Sequence, residues 1–278
     1  MAKDIIHELF DLTGKTAIIT GGAKGIGYGI TLRLAQAGAN CIICGRNGAR
    51  AKEVADGFKA MGYEVTGTKA DVSMSEDVDQ LVETAIDTYG GIDILVNNAG
   101  NYPRKTLEET TEEIWDGVFA SNVKGMFLCT KAVAKVMEEQ GRGGCIINCS
   151  SIGAFRCNQV GMSAYHSSKA AMLGFTNHEA AELGPKGIRV NAIAIGPINA
   201  VGPDKNGIFT EENIATPAVQ WPVPNSVTPI GRMGSPADIG NACLYLASDA
   251  ASFVSGIYLT VDGGMSKVPT FGYPEENK

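Results

Sequence analysis

The sequence predicts an α/β fold: a single doubly wound parallel sheet with helices on both of its faces. Three observations carry that expectation. Short apolar runs alternate with helix-periodic segments along the 278 residues, as in parallel strands joined by helical crossovers. The first run, residues 15–20, leads at once into the turn Gly21-Gly22-Ala23-Lys24-Gly25-Ile26-Gly27 and then a helix-periodic segment with Ile30, Leu34 and Ala35 inward. No linker-like or low-complexity stretch divides the chain, so one domain is expected to span 1–278.

The remaining elements follow in order. Ile5, Ile6, Leu9 and Phe10 form an apolar stripe, read as a short helix docked in an N-terminal arm of residues 1–13. Residues 40–44 and 64–69 read as the second and third strands. Ser73 with Glu76 reads as a capping box opening a helix that carries Val78, Leu81, Val82 and Ala85. Residues 94–96 form the next strand, and Thr110 with Glu113 repeats the cap before a long helix through Met137. Residues 145–149, 189–195 and 257–261 supply the later strands, and Ser235-Pro236 is an N-cap followed by proline at the first helical position. Residues 196–230, long and rich in proline and asparagine, read as a lid, and 265–278 as an irregular tail.

Composition excludes several functions. A net charge of -7 without a basic run argues against nucleic acid, and no apolar run approaches the 18 or so residues of a membrane span. The start lacks the layout of a secretory signal, which reads as a soluble cytoplasmic protein. The chain has seven cysteines. Cys41 and Cys44 stand three apart in a strand and so face opposite ways, without the second ligand pair that zinc requires. Cys145 and Cys149 share a buried strand face. No metal is expected, and the thiols are read as small core hydrophobes.

Two motifs carry chemistry. Glycines after a strand let the backbone turn tightly and approach a phosphate, while the following helix start offers free N–H donors. Gly21, Gly25 and Gly27 have that context. In Tyr165-His166-Ser167-Ser168-Lys169, residues four apart on a helix share one face. An ammonium beside a phenol is expected to lower the tyrosine pKa from about 10 and so provide a general acid and base. His166, one position round, is read as turned away into packing.

These motifs, in this order, resemble the short-chain dehydrogenase/reductase family, and the resemblance runs through residues 13–264. Asn97-Asn98-Ala99-Gly100, Asn122 within S-N-V-K-G, the run ending in Ser150-Ser151, Arg189-Val190-Asn191 and Asp262-Gly263-Gly264 match as well. The resemblance implies a Rossmann fold, a homotetramer assembled through the long helices and the last strand, and an oxidoreductase interconverting an alcohol and a carbonyl. Asn122, Ser151, Tyr165 and Lys169 would be catalytic. Gly21, Lys24, Gly25, Ile26, Gly27, Arg46, Asn47, Asp71, Val72, Asn98, Ala99, Gly100 and Ile198 would bind the cofactor, joined by Tyr165 and Lys169.

Cofactor choice is legible at the second strand. A hold on the ribose hydroxyl of NAD wants an acid there. Here Gly45 stands in that place, with Arg46 able to take a 2′-phosphate in two hydrogen bonds and Lys24 adding charge. NADP(H) is the expected cofactor. Two departures from the family pattern stand out. Ser151 precedes Tyr165 by 14 residues, one more than in many relatives, which reads as a one-residue loop insertion. Ile195 and Ala200 replace a proline and a threonine.

The substrate stays open at this stage. Ile208, Phe209, Ile214, Val219, Trp221 and Val223 of the lid, with Phe155, Gln159 and Met162, suit an apolar pocket. Tyr102 and Arg104 suit a polar edge, Arg104 as a carboxylate partner. Sugar acids, other hydroxy acids and hydroxysteroids all fit. The alternative is an NADP(H)-binding sensor or scaffold with little turnover.

Overall fold

A computed structural model describes residues 5–157, 159–200 and 228–268. Its centre is a seven-stranded sheet: β1 Thr16–Thr20, β2 Asn40–Gly45, β3 Val65–Lys69, β4 Ile94–Asn97, β5 Gly144–Ser151, β6 Ile188–Ile195 and β7 Tyr258–Val261. The spatial order is β3-β2-β1-β4-β5-β6-β7, and every pairing is parallel. This is the Rossmann-like sheet expected from the sequence.

The strands alternate between two cores because side chains alternate across a strand. Ala17, Ile19, Cys41, Ile43, Val96 and Ile147 face the core shared with α2 (Gly25–Gln36) and the late helix α8 (Pro236–Ala247). Ile18, Ile42, Leu95 and Ile146 face the other core, filled by α4 (Ser75–Tyr89) and α6 (Gly125–Gln140). Each such fully buried aliphatic side chain contributes about 1.5–3 kcal/mol. Cys41 and Cys44 fall in opposite cores, while Cys145 and Cys149 share one; only Cys157 is exposed.

Helices α2 and α8 meet through glycine. A β-carbon on Gly29 would sit 2.4 Å from Pro236, and one on Gly240 would sit 2.4 Å from the Gly29 oxygen. The helix behind the glycine loop is therefore held backbone to backbone. The Ser235 cap of α8 forms as expected, its side chain accepting from the Asp238 N–H while the Asp238 carboxylate accepts from the Ser235 N–H.

Four expectations need correction. The helix after β3 is capped at Met74 with no side-chain bond, because the Ser73 hydroxyl donates to the Asp71 carboxylate 2.7 Å away. A local side-chain bond has won over the helix cap. Likewise Thr110 donates back to the Thr106 carbonyl, and Thr111 caps α5 (Glu112–Phe119) instead. The expected long helix is interrupted by a π turn at Ala120–Lys124 between α5 and α6. The N-terminal helix α1 (Ile5–Phe10) forms, but only half of its stripe docks: Leu9 and Phe10 are half-buried while Ile5 and Ile6 are exposed. Beyond the last strand, Met265–Lys267 make one 3-10 turn. The lid residues Ile208, Phe209, Ile214, Val219, Trp221 and Val223, and the tail beyond 268, lie outside the described residues.

Candidate active site

Strand order reverses between β1 and β4, and at such a switch point the loops leaving the carboxyl ends of the strands part to form a crevice. The predicted site residues lie there. Gly21 and Gly25 adopt left-handed backbone, with φ of 67° and 52°. A β-carbon on Gly27 would lie 2.1 Å from the Gly21 carbonyl oxygen. The loop is thus folded tightly on itself and admits only glycine at 27. Asn98 Nδ2 donates to the Thr20 and Gly21 carbonyls, and the Thr20 hydroxyl accepts from the Asn98 and Ala99 N–H groups. Thr20, the first residue of the loop motif, ties the glycine loop to the end of β4.

Asn47, Thr111 and Ser235 cap their helices with side-chain oxygens, whereas Lys24 at the start of α2 supplies none. First-turn N–H groups of α2 are therefore open to an anion. Beside them a β-carbon on Gly45 would meet nothing within 4 Å, so space lies beyond β2 where a nucleotide ribose would sit. Arg46 is exposed there, and Lys69, paired in register with Gly45, adds a cation that the motif reading missed. Asp71 is held below the usual carboxylate range by its bonds to Ser73, with Arg46 and Lys69 contributing and burial opposing. Val72 is buried against Gly125, and the Ile198 backbone bridges to Gly234. Ala200 lies against the glycine loop, 3.5 Å from where a β-carbon of Gly25 would be. A glycine cradle, open N–H groups and flanking cations fit a phosphorylated dinucleotide.

Ser151 ends β5 and Tyr165 rises from the first turns of α7 (Ser163–Leu183), which brings the Ser151 hydroxyl close enough to the phenol to favour its ionised form. Ser151 Oγ also accepts from the Gly153 N–H at 3.1 Å. Ser150 points the other way and donates to the Lys169 carbonyl. The longer spacing between Ser151 and Tyr165 therefore leaves these two side chains together. Burial pushes the Tyr165 phenol up to about 12, opposed by the Ser151 hydroxyl. This reverses the expected lowering. Lys169 Nζ sits over the ring face, 5.5 Å from its centroid, and donates to the Cys149 carbonyl at 2.6 Å and to Met172 Sδ at 3.3 Å. Burial is the largest influence on the phenol. Burial also lowers Lys169 to about 8.

Asn122 is carried inward by the π turn, a distortion often found at functional sites. Its carboxamide makes a closed exchange with the Asn101 backbone and donates to Ser168 Oγ at 2.9 Å. Behind it runs a buried polar ladder that the sequence did not announce. Asn97 Nδ2 donates to Thr130 Oγ1 and Asn148 Oδ1, and Asn148 Nδ2 donates to Thr176 Oγ1. The ladder fixes β4 and β5 against α6 and α7.

At the mouth, the Tyr102 ring meets Tyr165 edge to face, with centroids 6.1 Å apart. The Lys105 N–H donates to the Gly161 carbonyl, so the 101–106 segment is tied to the loop before α7. Phe155 and Gln159 are exposed at this side, while Met162 is buried. His166 packs on Gly153, where a β-carbon would lie 2.2 Å from its ring. It is a packing residue as expected, but it is not turned away from Tyr165: the two rings lie tilted with centroids 5.9 Å apart.

Residues 21–266 match the family described as Enoyl-(Acyl carrier protein) reductase. Dehydrogenase/reductase SDR family member 4 of Oryctolagus cuniculus is 39% identical over 270 residues, covering 95% of this chain and 98% of that protein. The 3-oxoacyl-(acyl-carrier-protein) reductase FabG of Aquifex aeolicus is 36% identical over 255 residues, covering 91% and 98%. Among solved structures, a short-chain type dehydrogenase/reductase from Mycobacterium marinum superposes with a TM-score of 0.82 at 34% identity, covering 93% and 98%. A gluconate 5-dehydrogenase from Burkholderia cenocepacia J2315, in complex with NADP and tartrate, gives 0.82 at 31% identity, covering 95% and 100%. The chain belongs to the short-chain dehydrogenase/reductase family, and is an oxidoreductase of that family. No helix among the described residues is long and apolar enough to cross a membrane.

Proposed function

We propose that the protein is an NADP(H)-dependent oxidoreductase interconverting a secondary alcohol and a ketone, with Tyr165 as general acid and base. The observation that carries this reading is the convergence of Ser151, Tyr165 and Lys169 beside the glycine cradle, with Arg46 and Lys69 flanking Gly45. NADP(H), when bound, supplies or accepts the hydride. Gly21, Lys24, Gly25, Ile26, Gly27, Asn47, Asp71, Val72, Asn98, Ala99, Gly100 and Ile198 would line its seat.

In carbonyl reduction the Tyr165 phenol donates its proton to the substrate oxygen. Its raised pKa keeps it in that donor form at neutral pH. The Ser151 hydroxyl holds the same oxygen and stabilises charge growing on it. Lys169 orients the nicotinamide ribose and offers an ammonium near the phenol. Asn122, locked by Asn101 and Ser168, would position a water behind Lys169 that returns the proton from solvent.

A sugar acid or related hydroxy acid suits the mouth best. Arg104 is exposed two residues from Tyr102 on the extended segment, and has no acidic partner among the described residues. Its charge is available to a carboxylate. The gluconate 5-dehydrogenase complex with tartrate accords with that choice. The protein would act in the cytoplasm as a homotetramer, with Trp115 and Phe127 as exposed apolar anchors on the long helices.

The test is NADPH oxidation and NADP+ reduction across sugar acids, hydroxysteroids, β-ketothioesters and diketones, each repeated with NADH or NAD+. Tyr165→Phe should abolish turnover and leave NADPH binding nearly intact. Turnover surviving in Tyr165→Phe refutes the acid/base assignment. Tight NADPH binding without turnover on any compound favours the sensor reading instead.

A further inference from the structure

We infer that Met172 is a positioning residue for Lys169, its thioether helping to hold the buried ammonium so that one proton faces the nucleotide crevice. The inference rests on the oxidoreductase reading only for the place of Lys169 beside the cofactor.

An ammonium has three donors and no acceptor. Lys169 is 4% exposed, and two of its donors are accounted for: one to the Cys149 carbonyl at 2.6 Å, one to Met172 Sδ at 3.3 Å. These acceptors belong to β5 and to the next turn of α7, so they fix Nζ from two sides. The third side opens toward Gly100, where a β-carbon would lie 3.8 Å from Nζ and 3.3 Å from Asn122 Oδ1. That is the carboxyl end of β4, in the crevice.

The choice of sulfur matters chemically. No carboxylate pairs with Lys169 among the described residues. A carboxylate at position 172 would stabilise the charge strongly and lock the amine as ammonium. A leucine there would fill the space and accept nothing. A thioether is a weak, polarisable acceptor. It steadies the ammonium while leaving its proton exchangeable near the working pH, in keeping with the downward pull of burial on Lys169. Met172 is itself 1% exposed, and its carbonyl accepts from Thr176 of the polar ladder, so the sulfur is carried on a fixed backbone.

The experiment compares Met172→Leu, which removes the acceptor, with Met172→Gln, which replaces it by a stronger one of similar length. Lys169 is titrated directly by NMR in protein labelled with carbon-13 at the lysine ε-carbon, the signal being assigned with Lys169→Arg. The dissociation constant of NADPH is followed over the same range by its own fluorescence. The expected result is a midpoint lowered by about half a unit in the Leu variant and raised by a similar amount in the Gln variant. The pH at which NADPH affinity falls should move with it, while the melting temperature should hold in the Leu variant and drop in the Gln variant, which buries an amide. Unmoved midpoints, or shifts of the same sign in both variants, would overturn the inference. Because the NMR titration needs neither cofactor nor turnover, its outcome is separate from the fate of the oxidoreductase reading, which Tyr165→Phe decides.

Discussion

Gly27→Ala is the sharpest test of the cradle. The added methyl would stand 2.1 Å from the Gly21 carbonyl oxygen and 2.7 Å from Asn98 Nδ2. The first distance is about 1.4 Å short of an ordinary contact, and its partner is backbone, which cannot swing aside as a side chain would. Relief must come from parting the loop, and that also pulls Asn98 off the Thr20 and Gly21 carbonyls. Overpacking of this kind costs about 1–3 kcal/mol of stability. The larger effect falls on binding. Each charge-assisted N–H bond to a phosphate that is lost or misaligned costs about 1.5–3 kcal/mol, so NADPH affinity should fall by at least about tenfold. Fluorescence titration with NADPH, beside thermal melts, measures both quantities. Gly45→Ala is the control, because its methyl meets nothing within 4 Å and should leave stability unchanged. Wild-type NADPH affinity in a folded Gly27→Ala protein would refute the account of the loop.

Three further outcomes are expected. Gly45→Asp places a carboxylate between Arg46 and Lys69 and should weaken NADPH by about tenfold or more relative to NADH, read as a ratio of dissociation constants. Asn148→Ala removes one hydrogen bond from each of Asn97 and Thr176, which keep Thr130 and the Met172 carbonyl, and should cost about 2–4 kcal/mol in urea unfolding; a loss below about 0.5 kcal/mol would remove the ladder from the stability argument. Lys169→Met should stabilise the fold at neutral pH. Burial lowers Lys169 from 10.5 to about 8, so in that window the unfolded chain binds the extra proton and wild-type stability rises with pH. The gap, about 3 kcal/mol before the lost hydrogen bonds are subtracted, should close above pH 10.5, as melts of both proteins at neutral and alkaline pH would show.

The strands and the glycine turn were legible because they are set by short-range rules: alternation, left-handed glycines and apolar runs buried on both faces. Ser151 and Tyr165 were legible through motif spacing, and the extra residue between them still leaves Ser151 near enough to act on the phenol's ionisation. What escaped depends on competition or on distance. Ser73 and Thr110 look like helix caps in isolation, but Asp71 and Thr106 claim their hydroxyls first. The pairing of Asn97 with Asn148 spans 51 residues, and no local pattern announces it. The direction of the Tyr165 shift needed the position of Lys169 Nζ, which four-residue spacing alone leaves undetermined.

The π turn at Ala120–Lys124 has a consequence for the outside of the molecule too. In an uninterrupted α-helix, Trp115 and Phe127, twelve residues apart, would point about 120° from one another. Absorbing one residue in a wider turn removes about 100° of that drift. Trp115 and Phe127 then share an exposed face with half-buried Phe119 and Val123 between them, while Val118, Asn122 and Met126 run as one buried stripe. A single extra residue thus phases two surfaces together. Deleting Val123 would put the inward and outward faces of the helix out of phase, swinging Asn122 from the interior and parting Trp115 from Phe127 in the same stroke.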